Sequence, residues 1–220
     1  MESFHSHIPV FCIYIPTNFI STFYMSKVKP SWEDYGFNVT LFPAVDLSNE
    51  VYLDLKSKFI SKKRPYNNIG KAKWRVSEIS RFLSHVLLWR EIKLKRNISE
   101  AFIIEHDCKL TRNFPESFTD KEVNFFTQSS TPNFITNYQL LSLKPCSGYF
   151  LKKSFAIKLL EYFSYRNVEV DIDEFLFNVA LEEEVINLPS FYSNDNVFAR
   201  EEFDPIVGNT VFKEKPDYNL

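Results

Sequence analysis

A continuous apolar run near the start of the chain, residues 8–15 (IPVFCIYI), constrains the fold more than any other feature. It is β-branched and aromatic, too short to span a membrane, and closed by Pro16, so it reads as a buried strand. Similar runs predict strands at 37–42, 101–104, 123–126, 134–143, 148–151 and 185–188. Helices are expected at 18–27 (bounded by Pro30), 49–60, 77–95, 154–163 and 173–181. The clearest is 77–95, where Ile79, Phe82, Leu83, Val86, Leu87 and Ile92 recur at helical spacing behind a possible cap at Ser77. Strands alternating with helices predict an α/β sandwich with a mainly parallel sheet. Residues 1–189 would form one domain, with 190–220 as a C-terminal tail wrapping it.

Only four of the 220 residues are glycine, and neither a GxGxxG nor a GxxxxGK[ST] pattern occurs. Folds that cradle phosphate in glycine-rich loops are therefore disfavoured. Lys and Arg total 26 against 28 Asp and Glu, a net charge of -2, so any polyanionic partner must be held by a local patch. Cys12, Cys108 and Cys146 are odd in number and far apart, which suits a reducing compartment and no zinc site. With no basic leader at the N-terminus, a cytoplasmic protein is expected. The wealth of Phe, Tyr, Asn, Ile and Lys fits AT-rich coding, as in a phage or a low-GC bacterium.

In open α/β sheets ligands bind beyond the carboxyl ends of strands, so residues that follow strands carry the most weight. Glu105, His106 and Asp107 follow the strand at 101–104. In an extended chain Glu105 and Asp107 would point the same way and could hold Mg²⁺ or Mn²⁺; the alternative is a solvated acidic turn. Glu78, Arg81 and His85 form one polar line on the best helix, either an edge that touches substrate or a surface ion pair beside a satisfied histidine. Lys62, Lys63, Arg64, Lys71, Lys73 and Arg75, with Tyr66 and Trp74 between them, form a basic stretch free of acids. It could grip a diphosphate or stack on bases, or be a solvated loop. Asp171, Asp173 and Glu174 open the helix at 173–181, where the helix dipole alone favours acids.

Several segments in order resemble glycosyltransferase family 25: residues 8–15, FPAVDL at 42–47, SEISRFLSHVLLWREI at 77–92, AFIIEHD at 101–107, GYFLKKSFAIKLLE at 148–161 and VDIDEFL at 170–176. The resemblance implies a GT-A-like, Rossmann-like α/β/α sandwich. It further implies an inverting, metal-dependent transfer of a hexose, galactose or glucose, from a UDP-sugar to a hydroxyl of a saccharide, as in lipopolysaccharide biosynthesis. Glu105, His106 and Asp107 would then hold Mn²⁺ or Mg²⁺. Glu105, Asp107, Arg64, Lys71, Lys73, Arg75, Ser84 and His85 would bind the donor. Asp173 would be the general base, with Glu78 the second candidate. Two departures stand out: His106 replaces the middle acid of the family's E-D-D, and Ile15-Pro16-Thr17-Asn18 replaces a first loop that usually carries an Arg. They leave room for an inactive binding module of the same fold, or for a phage transferase that acts on modified nucleic-acid bases.

Overall fold

The structure is a computed structural model that describes residues 5–48, 55, 57–59, 74–111, 114, 116–127, 148–185, 192–193 and 198–200. The first apolar run is β1 (Val10–Tyr14), followed by α1 (Phe19–Glu33) and β2 (Val39–Pro43). The long amphipathic pattern becomes α2 (Val76–Leu94), which leads into β3 (Glu100–Glu105) and the short β4 (Cys108–Leu110). Next come β5 (Val123–Thr127), β6 (Gly148–Lys152), α3 (Lys153–Tyr165) and α4 (Ile172–Glu182). Two pieces of the C-terminal segment, β7 (Tyr192–Ser193) and β8 (Phe198–Arg200), add strands beside β5 and β4.

The main sheet has the order β2-β1-β3-β6-β5-β7. Only β6 runs against the others, pairing antiparallel with both β3 and β5, so the expected mainly parallel sheet is met. Because β1 has β2 on one side and β3 on the other, the strand order reverses at β1. The carboxyl ends of β1 and β3 therefore flank a topological switch point, the usual place for a ligand crevice.

Alternation along the strands sends neighbouring side chains into two separate aromatic layers. On one face Trp32 of α1 packs with Phe37, Phe102 and Phe114, and Phe150 joins through Phe102. On the other, Phe82 and Trp89 of α2 pack on Phe175 of α4, and Tyr149 meets Phe125. Tyr149 and Phe150, adjacent on β6, thus belong to opposite layers. The sheet is covered on both faces, as the unbroken apolar strands required.

Two sequence expectations need correction. Helix α1 does not stop at Pro30 but runs through it to Glu33. An internal proline costs about 3 kcal/mol. Continuing the helix buries Trp32 completely and lets its indole N–H donate to the Cys108 carbonyl at 2.8 Å, which offsets that cost. Gly36, at a φ of 86°, then turns the chain toward β2. Helix α2 is capped at Arg75 rather than Ser77, because the Glu78 carboxylate reaches back to accept the Arg75 backbone N–H at 3.0 Å. The expected helix at 49–60 lies mostly outside the described residues; within it Leu55 is helical, and near its end Phe59 makes an isolated bridge to Val168. The strand expected at 134–143 lies outside them, as does 185–188 beyond Val185. Among the described residues no helix is long and apolar enough to cross a membrane.

Candidate active site

Three charged side chains from three elements meet at the carboxyl end of β3. Arg81 lies two turns into α2, its side chain 30% exposed. Its Nε donates to Glu105 Oε1 at 2.5 Å. Its two terminal nitrogens fork onto Asp173, Nη2 to Oδ1 at 3.1 Å and Nη1 to Oδ2 at 3.2 Å. Asp173 stands in the first turn of α4, where Asp171 supplies the cap by accepting the Glu174 N–H at 3.0 Å. Since Asp171 meets the needs of the helix end, Asp173 is available to cross to Arg81.

His85, one turn after Arg81, lies behind this group with its side chain 3% exposed. Its Nδ1 sits 2.8 Å from the Tyr149 hydroxyl, which also accepts the Trp89 indole N–H at 2.9 Å. The Glu105 carboxylate, 3.5 Å from His85 Nε2, can only accept, which favours the imidazole hydrogen on Nε2 and leaves Nδ1 to accept from the Tyr149 hydroxyl. In that tautomer Nε2–H is directed at Glu105.

Burial pushes the His85 ring down from its usual pKa, so it is neutral at physiological pH. Burial also works to raise Glu105, but Arg81 and His85 outweigh it and hold that carboxyl at about 2. Asp173 goes the other way. Burial raises it to about 6, Arg81 opposes the rise, and the negative charges of Glu105 and Asp171 add to it. Two carboxylates on one guanidinium therefore behave differently: one is fixed as an anion, and the other exchanges a proton near neutrality. Such a split is the arrangement acid–base chemistry uses.

The three side chains expected to hold a metal have different surroundings. β3 ends at Glu105 and residues 106–107 turn, so strand alternation stops before Asp107, although the negative charges of both Asp107 and Glu105 reach the buried Cys12 thiol. Glu105 goes to Arg81 on the α2 side. His106 goes to the α1 side, where its ring stacks on Tyr24 with centroids 6.0 Å apart. Asp107 is buried in the turn. Among the described residues no three His, Cys, Asp or Glu side chains are placed to share an ion. Glu105, His106 and Asp107 thus form no ready-made three-ligand cluster, and the cation beside Glu105 is the protein's own guanidinium.

The other expected residues separate. Ser84 is fully buried and structural: its hydroxyl accepts the Val45 N–H at 2.9 Å and donates to the Ser80 carbonyl at 2.7 Å. Ser80 in turn donates to the Val45 carbonyl, so this pair of serines ties the segment after β2 to α2. Glu78 serves the start of α2, and Arg75 is the residue it caps. Arg64, Lys71 and Lys73 lie outside the described residues. Of the residues expected to act, Asp173, Glu105 and His85 come together. The one left without a role, Arg81, is the centre of the group. Its partners lie 24 and 92 positions away, and only its place in the helix line with His85 hinted at it.

Residues 23–145, more than half of the chain, match the family described as glycosyltransferase family 25 (LPS biosynthesis protein). No curated protein matches. Among solved structures, one likeness is to a glycosyltransferase involved in glycosylation of the major capsid of PBCV-1, at 11% identity and a TM-score of 0.36. It covers 72% of this chain and 66% of that one, so the chain spans slightly under two thirds of that protein's length. Mouse xyloside xylosyltransferase 1 is similar at 8% identity, with 81% and 83% of the two chains covered and a TM-score of 0.44. The inositol-1-phosphate CTP transferase of T. maritima is similar at 11% identity, with 80% and 81% covered and a TM-score of 0.42.

Proposed function

The chain belongs to glycosyltransferase family 25, and from that premise we propose that it moves a hexose from a UDP-sugar to a hydroxyl of a saccharide acceptor, with inversion, at the Arg81–Glu105–Asp173 group. The observation that carries this reading is the forked hydrogen bond between Arg81 and Asp173 at the strand-order reversal. Transfer makes two demands: negative charge growing on the departing diphosphate must be met, and the acceptor hydroxyl must lose a proton. A guanidinium suits the first, because its planar fork matches phosphate as well as carboxylate. A carboxylate with a pKa of about 6 suits the second.

The two roles are linked. In the resting site Arg81 opposes the upward shift of Asp173. A diphosphate that draws Arg81 toward itself relieves Asp173 of that influence and makes it a stronger base when the donor is in place. Glu105 keeps Arg81 at the strand end, and the neutral His85, set by Tyr149, keeps Glu105 oriented. Inversion follows from a single displacement with one base.

The test is transfer from radiolabelled UDP-galactose and UDP-glucose to a panel of oligosaccharides by wild type and Asp173→Asn. Turnover by wild type, with kcat lowered about 10²–10⁴-fold in the variant and donor affinity kept, supports the assignment. Full activity in the variant removes Asp173 from the reaction.

A further inference from the structure

Trp74 precedes Arg75, the residue that caps α2, and the charged group gives it no part. Its indole is partly buried against the core and meets Phe59 edge to face, with ring centroids 5.2 Å apart and planes at 81°. Phe59 meets Phe82 in the same manner at 5.3 Å, and Phe82 meets Phe175 at 5.1 Å. Phe82 follows Arg81 in α2, and Phe175 stands two residues after Asp173 in α4. The segment that carries Phe59 is itself fixed. Phe59 bridges to Val168, five residues before Asp173, and the Lys58 ammonium donates to the Phe163 and Ser164 carbonyls at 3.0 and 2.8 Å, at the end of α3. A line of rings thus runs from the helices that hold the Arg81–Asp173 pair outward to an indole at the start of α2.

The rise of α2 sets Arg75, next to Trp74, about 9 Å along the axis from Arg81. A partly covered indole at that distance suits a ligand with one apolar face and many hydroxyls. A pyranose has both: a face of C–H bonds to lie on the ring, and hydroxyls for the charged groups beside it. Because Phe59 touches the indole edge to face, it covers at most one face of that ring. The span also divides the work, since a sugar whose hydroxyl reaches Asp173 leaves the indole to its neighbour in the chain.

We infer that Trp74 selects the acceptor: its indole binds the second sugar of an acceptor at least two units long, while the first presents its hydroxyl to Asp173. This rests on the transferase reading above and adds to it the class of acceptor, a disaccharide or longer rather than a free hexose.

Of the three tryptophans, Trp32 and Trp89 are fully buried, so emission that responds to a ligand at the surface reports on Trp74. The full chain, saturated with UDP, is titrated with galactose, glucose and a set of disaccharides built from them while tryptophan emission is followed. Acceptor kinetics with UDP-galactose and UDP-glucose are then measured for wild type, Trp74→Ala and Trp74→Phe. A disaccharide is expected to shift the emission, the hexoses are not, and both variants lose the shift. Trp74→Ala should raise KM for that disaccharide about tenfold and Trp74→Phe no more than about threefold, with donor affinity unchanged. Thermal melts verify that the variants fold, and a misfolded fraction lowers kcat rather than raising KM. An unchanged acceptor KM in Trp74→Ala overturns the inference and leaves the transferase reading standing. A wild type that uses free hexoses as well as disaccharides does the same, as does an emission shift produced by UDP alone, which assigns the indole to the donor. If wild type transfers to none of the sugars, the inference falls together with the transferase reading.

Discussion

The guanidinium of Arg81 holds Asp173 through both carboxylate oxygens, at 3.1 and 3.2 Å, while its Nε holds Glu105. The two acids come from β3 and from the first turn of α4, so a single side chain of α2 joins three elements at the open end of the sheet. The charge distribution that follows is unequal, with Glu105 at about 2 and Asp173 at about 6.

Activity should therefore depend on pH through Asp173. A base must be ionised, so kcat/KM should rise as pH climbs through about 6 and level off above it. The pH–rate profile of wild type checks this. In Asp173→Asn the limb near 6 should vanish along with most of the turnover.

The same inequality predicts an unusual stability change. Burial raises Asp173 above its unfolded value, so its ionisation weakens the fold as pH rises toward and through about 6. Asp173→Asn removes that penalty and should melt at or above the wild-type temperature at pH 8. The gain should shrink as pH falls below 6 and the wild-type carboxyl is protonated. Thermal melts across pH 4–8 measure it, and a variant less stable at pH 8 than at pH 5, relative to wild type, contradicts it.

Glu105→Gln should do the reverse. Despite burial, Arg81 and His85 hold Glu105 below its unfolded value, so its stabilisation is full above about 4.5 and lost as pH falls toward 2. Removing one partner of a largely buried pair costs about 3–5 kcal/mol; with Arg81 partly exposed, about 1–3 kcal/mol is expected at pH 7. Urea unfolding of the variant and wild type at pH 7 and pH 3 should show the difference collapsing at the lower pH.

What the sequence made legible was what depends on local period. β1, α2 and β3 could be read because apolar residues recur at the spacing their own backbones impose. Pro30 misled because the influence that overrides it, Trp32 bonding to Cys108, spans 76 positions. At 105–107 strand alternation was carried two residues into a turn, so the local period did not say where His106 and Asp107 face. Asp173 and His85 were singled out by their places on two helices, and the roles expected of them came through the family resemblance. For Arg81 the only local signal was its place in the helix line with His85, since neither partner lies within its own helix. Ser84 looked like a donor contact for the opposite reason: a buried tie between α2 and the segment after β2 leaves the same pattern in sequence as a functional serine.

Ser84→Ala tests that reassignment. The change orphans the Val45 N–H, so stability should fall by about 1–3 kcal/mol with nucleotide affinity unaltered. Urea unfolding and nucleotide titration on the same preparation separate the outcomes. Lost affinity without lost stability would return Ser84 to the donor site.

Tyr149 provides the last test, because its hydroxyl meets both the Trp89 indole N–H and His85 Nδ1. Tyr149→Phe keeps the ring and the packing on Phe125 but leaves a buried donor and a buried ring nitrogen to find other partners. Each such loss costs about 1–3 kcal/mol, which in a chain of this size corresponds to a melting temperature lower by several degrees. The functional consequence should be more specific than the loss of stability. Without the Tyr149 hydroxyl, the imidazole hydrogen is no longer fixed on Nε2, so His85 stops orienting Glu105 and Arg81 is held less firmly. KM for the donor should rise more than kcat falls, and histidine nitrogen NMR should report a changed tautomer. Unfolding alone would lower the active fraction and leave KM where it was.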